Sequence, residues 1–265
     1  MNRESMAIAA CQSGLLTVLL LSRASAAELP AADDVLRGVL DRLPRDPVTL
    51  HATLETRGSS SAQDRTVHVD VFLSYGSRPS RVVYTVRDAF GCERARLTLT
   101  REGAAAPVLR YEAGAPLAAV PAPALTNAVE DTDVTWADLT LAFLWWPGGR
   151  TVARDMVKEQ ACYVLDVPAP AGAGGASYGR VRLWIDEKFH MLLQAEGYDE
   201  RGQLARRMSV RSFRKMRDKW MVKDLDVQSF PSRRRTTLRV TEIDGPPADA
   251  PGAETNAVRA TPAGP

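Results

Sequence analysis

Three histidines, His51, His68 and His190, are the natural first candidates for acid–base chemistry or metal ligation, because imidazole titrates near neutral pH and binds transition metals. Each stands in or beside a strand-like run, with no second ligand at a metal-binding spacing around it. A solitary strand histidine is ordinarily structural, so neither a catalytic residue nor a metal site is assigned. The acidic pairs Asp186-Glu187 and Asp199-Glu200 have the right residue types for proton transfer, but both sit at strand ends, where turn composition accounts for them. Gly172, Gly174 and Gly175 make a glycine-rich loop without the lysine and helix of a phosphate-binding loop, and there is no Gly-x-Ser-x-Gly elbow. The expectation is a protein that is not an enzyme and carries no cofactor.

Cysteine chemistry depends on compartment. Residues 1–27 read as a signal peptide: Arg3, then the apolar run Gly14 to Leu21, then Ala24-Ser25-Ala26 with the small-x-small pattern of a cleavage site. The run is far shorter than the roughly 20 residues that span a bilayer. Ile8-Ala9-Ala10-Cys11 looks like a lipoprotein cleavage box, but its apolar run follows the cysteine instead of preceding it. Export to the periplasm leaves Cys92 and Cys162 in the mature chain, and an oxidising compartment predicts a disulfide between them.

Charge excludes little but points away from nucleic acid. The chain has 34 basic and 32 acidic residues, a net charge of +2, so no global field favours a polyanion. The densest basic stretch is Arg206, Arg207, Arg211, Arg214, Lys215, Arg217 and Lys219, with Arg233-Arg234-Arg235 beyond it, and only Phe213 and Trp220 are interleaved. These arginines read best as the solvated face of a sheet. A basic rim that meets an acidic partner or anionic lipid head groups is the other reading.

The elements that would position any site are mostly strands. Residues 31–43 form a helix by the spacing of Val35, Leu36, Val39, Leu40 and Leu43, ended by Pro44 and Pro47. The period then changes to two, most clearly at Val67, Val69, Val71 and Leu73, and strands are expected at 48–56, 66–73, 81–87, 95–101 and 107–111. Residues 113–130 read as a long loop. A second helix is predicted from Thr135 to Trp146, with a capping-box spacing between Thr135 and Asp138 and a stop at Pro147-Gly148-Gly149. Further strands follow at 151–157, 161–167, 178–186, 190–198, 203–213, 219–229 and 235–243, and a disordered Pro/Ala/Gly-rich tail at 245–265.

The second helix is unusual in composition. Three of the five tryptophans, Trp136, Trp145 and Trp146, lie in it; Leu139, Phe143 and Trp146 form one stripe, and Leu141, Leu144 and Trp145 spread apolar surface around the rest. A helix resting on one sheet needs a single apolar face, so this one calls for a second protein layer or an apolar ligand.

The order of motifs then resembles a known family. Asp133-Val134-Thr135-Trp136-Ala137-Asp138-Leu139 running into Phe143-Leu144-Trp145-Trp146, Cys162-Tyr163-Val164-Leu165, Val181-Arg182-Leu183-Trp184-Ile185-Asp186, Glu196-Gly197-Tyr198-Asp199 with Gly202, and Arg235-Thr236-Thr237-Leu238 are similar in order and spacing to the outer-membrane lipoprotein-sorting family with the LolA/LolB-like fold. The resemblance runs from about 35 to 243, within an expected domain at 28–244. It implies a mostly β (α+β) fold, a large curved antiparallel sheet forming a half-open β-barrel with helices on its concave side. It also implies an apolar cavity for the acyl chains of lipoproteins or other lipids, lined by the inner-face apolar residues of the sheet and by Trp136, Leu139, Phe143, Leu144, Trp145, Trp146 and Trp184. The implied protein is a monomeric periplasmic carrier that hands its cargo to or from a membrane transporter or an outer-membrane acceptor. An envelope sensor or regulatory binding module on the same fold is the alternative. The family's cavity arginine matches no single residue of this chain.

Overall fold

The computed structural model describes residues 28–57, 64–103, 105–130, 132–170, 178–216 and 219–245. The expected leader at 1–27, nearly all of the Gly/Ala loop and the tail from 246 lie outside the described residues.

The chain opens with α1 (Ala32–Leu40), whose first turn carries Asp33 and Asp34 at the positive end of the helix and whose Ala32, Val35, Leu36 and Val39 are buried. An N-terminal meander follows: β1 (Val48–Arg57), β2 (Arg65–Ser74), β3 (Ser80–Arg87), β4 (Glu93–Arg101), β5 (Val108–Ala113) and the short β6 (Ala118–Val120). The C-terminal meander comprises β7 (Arg150–Val157), β8 (Gln160–Pro168), β9 (Arg180–Asp186), β10 (Leu192–Tyr198), β11 (Leu204–Met216), β12 (Lys219–Ser229) and β13 (Arg235–Asp244).

All thirteen strands form one antiparallel sheet in the order β6-β5-β4-β3-β2-β1-β13-β12-β11-β10-β9-β8-β7. The two meanders are joined in the middle by the β1–β13 ladder, which pairs Leu54 with Leu238 and Thr56 with Thr236. The outermost strands β6 and β7 do not pair with each other, so the sheet curls into a half-open barrel. This is the expected fold class, and the strand runs read from period two correspond to strands. Only β6 falls where a structureless loop was expected, because Ala118-Ala119-Val120 has neither alternation nor burial to announce it.

Alternation assigns the faces. Val67, Val69, Val71 and Leu73 of β2, Leu165 and Val167 of β8, and Val181, Leu183 and Ile185 of β9 belong to the main core on the concave side. The opposite face carries ion pairs from strand to strand: Arg87 with Asp70 and Glu93, Arg182 with Asp166, Arg207 with Glu196, and Arg239 with Asp224. His51 joins this row, its two ring nitrogens facing Asp70 at 2.7 Å and Asp244 at 3.1 Å. Burial alone would lower its pKa, but the two carboxylates win and raise it. Most sheet arginines are thus the solvated outer face that composition suggested.

The second helix differs from expectation. The capping box forms as read: Thr135 Oγ1 accepts from the Asp138 backbone N–H, and the Asp138 carboxylate accepts from the Thr135 N–H. However, α2 ends after five residues (Trp136–Thr140), Leu141 takes a left-handed conformation with φ of 50°, and a 3-10 turn covers Ala142–Trp145. A continuous helix would keep Phe143 and Trp146 in line with Leu139, whereas the break turns Phe143 and Leu144 into the core and leaves Trp145 and Trp146 half-buried.

The expected Cys92–Cys162 disulfide is not formed; both thiols are free. Cys92 is exposed in the β3–β4 turn and Cys162 is buried in β8, with seven strands between β3 and β8 in the sheet order. A disulfide needs Cα atoms within about 7 Å. Burial also pushes the Cys162 thiol up to about 11, which keeps it protonated and inert. In a chain beginning at Glu28, a thiol reagent should therefore label one cysteine in the native protein and two after denaturation without reductant. No labelling in the unreduced denatured chain would restore the disulfide.

Candidate apolar binding cavity

The connector at 121–149 runs from β6 at one edge of the sheet to β7 at the other, so it crosses the concave face. Its first anchor is near the middle. Residues 125–137 fold back on themselves through Val129 N–H to Val134 O (2.8 Å) and Ala137 N–H to Leu125 O (2.8 Å), burying Val129 and Val134 completely. Asp133 then ties this turn to the β12–β13 corner. Its backbone N–H donates to Thr236 Oγ1, and its carboxylate meets Ser232 and Arg234.

The second anchor is a buried polar cluster under α2. Asp138 Oδ1 accepts from the Tyr178 hydroxyl at 2.5 Å, while its Oδ2 accepts from Thr135 N and Oγ1 and lies 3.8 Å from Arg206 Nη1. Arg206 points inward because it shares the parity of Met208 and Val210 on β11. Burial, then the Asp138 charge, hold the Tyr178 hydroxyl well above the ordinary phenol range, with Arg206 opposing. The Tyr178 ring lies over Gly197, where an added Cβ would come within 2.2 Å of it.

Between these anchors and the sheet is an apolar cavity of about 260 Å³. Its floor is built from Val71, Leu73, Val210, Leu225, Val227 and Val240 of the sheet, and its roof from Leu139, Leu141, Leu144 and Trp145 of the connector. Val39, Leu43 and Pro44 of α1 and the segment after it close one flank. A second, larger groove of about 500 Å³ lies on the other side of Trp145, lined by Val82, Leu99, Leu109, Leu125, Trp146 and Pro147. Tyr75 and Trp145 border both compartments and stack with ring centroids 6.2 Å apart.

The structure separates the seven expected lining residues. Leu139, Leu144 and Trp145 face the cavity, and Trp145 and Trp146 face the groove. Trp136 and Phe143 are buried among protein instead: Trp136 packs edge-on against Tyr111 at 5.9 Å and Phe143 against Trp146 at 6.4 Å. Trp184 is on the other face of the sheet, clustered with Cys162, Val164 and Leu193, its indole N–H donating to Asp155 at 3.0 Å. Parity carried that information, since Val181, Leu183 and Ile185 point inward and Trp184 cannot join them. The inward apolar residues of the sheet do contribute to the lining, but alternation marks only an inward position and not whether protein or a space lies above it.

The histidines do not converge. His51 and His68 are on the outer face and His190 is in the β9–β10 turn beside the cavity. Asp186 and Asp199 accept backbone N–H bonds from their own turns. The arrangement offers shape and apolar surface to a ligand. No helix among the described residues is long and apolar enough to cross a membrane.

Comparison with known proteins agrees with this geometry. A family model described as an uncharacterized protein matches residues 120–246, the connector and the C-terminal meander. No curated protein matches the chain in sequence. Among solved structures, an outer membrane lipoprotein-sorting protein domain from Vibrio parahaemolyticus superposes with a TM-score of 0.69 at 11% identity, covering 84% of this chain and 94% of that one. A DUF1329 family protein from Desulfovibrio piger gives 0.68 at 12%, covering 80% and 91%. A LolA superfamily protein from Nitrosomonas europaea gives 0.61 at 12%, covering 83% and 95%. By its sheet, its crossing connector and these likenesses, the chain has the LolA-like fold, which it shares with outer-membrane lipoprotein-sorting proteins.

Proposed function

We propose that the protein is a periplasmic carrier or holder of acyl chains, from lipoproteins or other lipids, and that it performs no catalysis. The observation that carries this reading is the apolar cavity between the connector and the sheet. An acyl chain transferred there from water gains about 0.8 kcal/mol per buried methylene, so affinity needs no polar chemistry at all. The fold supports the reading, because proteins named for lipoprotein sorting share it. A carrier of this kind would exchange its cargo with a membrane transporter or an outer-membrane acceptor.

Titration of delipidated protein (residues 28–265) with a fluorescent fatty acid should show saturable binding. Val210→Trp places an indole on the cavity floor, where Val210 is buried, and should weaken binding at least tenfold. Overpacking of this kind costs about 1–3 kcal/mol of stability, which a denaturant melt reads separately. Trp184→Phe, on the opposite face, should leave the affinity unchanged. Undiminished binding by a folded Val210→Trp variant would remove the cavity from the reading.

A further inference from the structure

The mouth of the outer groove differs in chemistry from the rest of the concave side. Arg101 ends β4 with the parity of Ala95, Leu97 and Leu99, so a guanidinium follows three inward apolar residues. It lies 4.8 Å from the centre of the Trp145 ring, and its Nη1 donates to the Ala105 carbonyl at 3.2 Å. Beyond it is a pocket of about 590 Å³ with a mixed lining, in which Arg45, Arg78 and Arg101 meet Ser77 and Ser80 beside Leu40 and Leu43, with Asp41 and Glu102 also present. None of these three arginines makes an ion pair among the described residues. That sets them apart from Arg87, Arg182, Arg207 and Arg239, each of which has a carboxylate partner.

The backbone is built to bring these groups together. The Gly76 N–H donates to the Arg45 carbonyl at 3.0 Å, and a Cβ at Gly76 would stand 2.4 Å from that oxygen. Only glycine lets the α1–β1 segment lie this close to the β2–β3 turn. Ser77 Oγ donates to the carbonyls of Ser74 and Pro79, which fixes the turn that carries Arg78. Tyr75 then borders the arginine-lined pocket, the outer groove and the inner cavity at once. Burial pushes its hydroxyl up to about 12, against the pull of Arg101. Tyr75 and Trp145 therefore stand between three arginines that have no ion-pair partner among the described residues and the apolar space.

We infer that the cargo is an anionic amphiphile, whose phosphate or carboxylate head group sits among Arg45, Arg78 and Arg101 while its acyl chain passes Tyr75 and Trp145. The inference rests on the acyl-chain reading above and specifies the class of lipid. Guanidinium groups suit such a head group because their planar donors match its oxygens in pairs. Three cations against two acids leave the pocket one positive charge in excess, which matches a singly charged head.

The test is displacement of the bound fluorescent fatty acid from residues 28–265 by three competitors below their micellar concentrations. These are dodecyl phosphate, dodecyl maltoside with the same tail and a neutral head, and inorganic phosphate. Dodecyl phosphate should compete at least tenfold better than dodecyl maltoside, and inorganic phosphate should not compete. The preference should fall below threefold in Arg78→Gln/Arg101→Gln. Because Arg101 also covers Trp145, the single variant Arg78→Gln, at an exposed site, should by itself reduce the preference at least twofold without changing the affinity for dodecyl maltoside. Equal competition by the two dodecyl compounds would overturn the head-group site and leave the cavity standing. Competition by inorganic phosphate would make the pocket a site for the free anion, and failure of every amphiphile to bind would remove the acyl-chain reading together with this one.

Discussion

Asp138→Ala is expected to lower the unfolding free energy by roughly 3–5 kcal/mol, the usual loss when one partner of a buried charged cluster is removed. Asp138 is 2% exposed and accepts from Thr135 twice and from the Tyr178 hydroxyl, with Arg206 beside it. Alanine would take from the Tyr178 hydroxyl its carboxylate acceptor, leave a half-buried guanidinium without its countercharge, and strip α2 of half of its capping box. Urea melts of the single variant and of Asp138→Ala/Arg206→Met distinguish the contributions. The double variant should recover part of the loss, because the orphaned cation is gone as well. A loss under about 1 kcal/mol in the single variant would show that water takes over the carboxylate's bonds, and the cluster would then be no anchor.

Phe143→Ala is the second large effect, again about 3–5 kcal/mol. Phe143 is 1% exposed, packs edge-on against Trp146 and touches neither the cavity nor the groove. The variant should therefore be markedly less stable in a denaturant melt while its folded fraction binds the fluorescent fatty acid as tightly as the wild type. A tenfold weaker affinity in the folded fraction would instead put Phe143 in the wall of the site.

These two residues show what the sequence reveals and what it conceals. The strands were legible because a half-buried sheet enforces period two, so Val67 to Leu73 announce both an element and its inward face. Thr135 and Asp138 announced a helix start because a cap is a local bond. The helix end was not legible: no glycine or proline marks the left-handed turn at Leu141, which accompanies the burial of Phe143 and Leu144 in the core. Helical spacing put Leu139, Phe143 and Trp146 on one stripe, yet the break sends them respectively to a cavity, to the core and to a groove. Arg101 and Arg206 could have been noticed by parity, as cations at inward positions. Their separate settings, one beside a carboxylate and one without, depend on which elements cross the concave face, and no pattern along the chain encodes that.

The central ladder has a consequence for how the protein is made. It joins residues 49–57 to residues 235–244, so the first strand finds its inner neighbour only in the last. Such a pairing carries a high loop-closure cost and belongs to slow-folding topologies. For a chain that folds from its N-terminus as it is made, the arrangement acts as a delay. β1 to β6 can form hairpins as they emerge, but the sheet has a gap at its centre until β13 is made. Until then the apolar floor of the cavity is incomplete, because Leu238 and Val240 of β13 belong to its lining. The cavity is thus the last part of the fold to be completed, and its completion waits on the final strand of the chain.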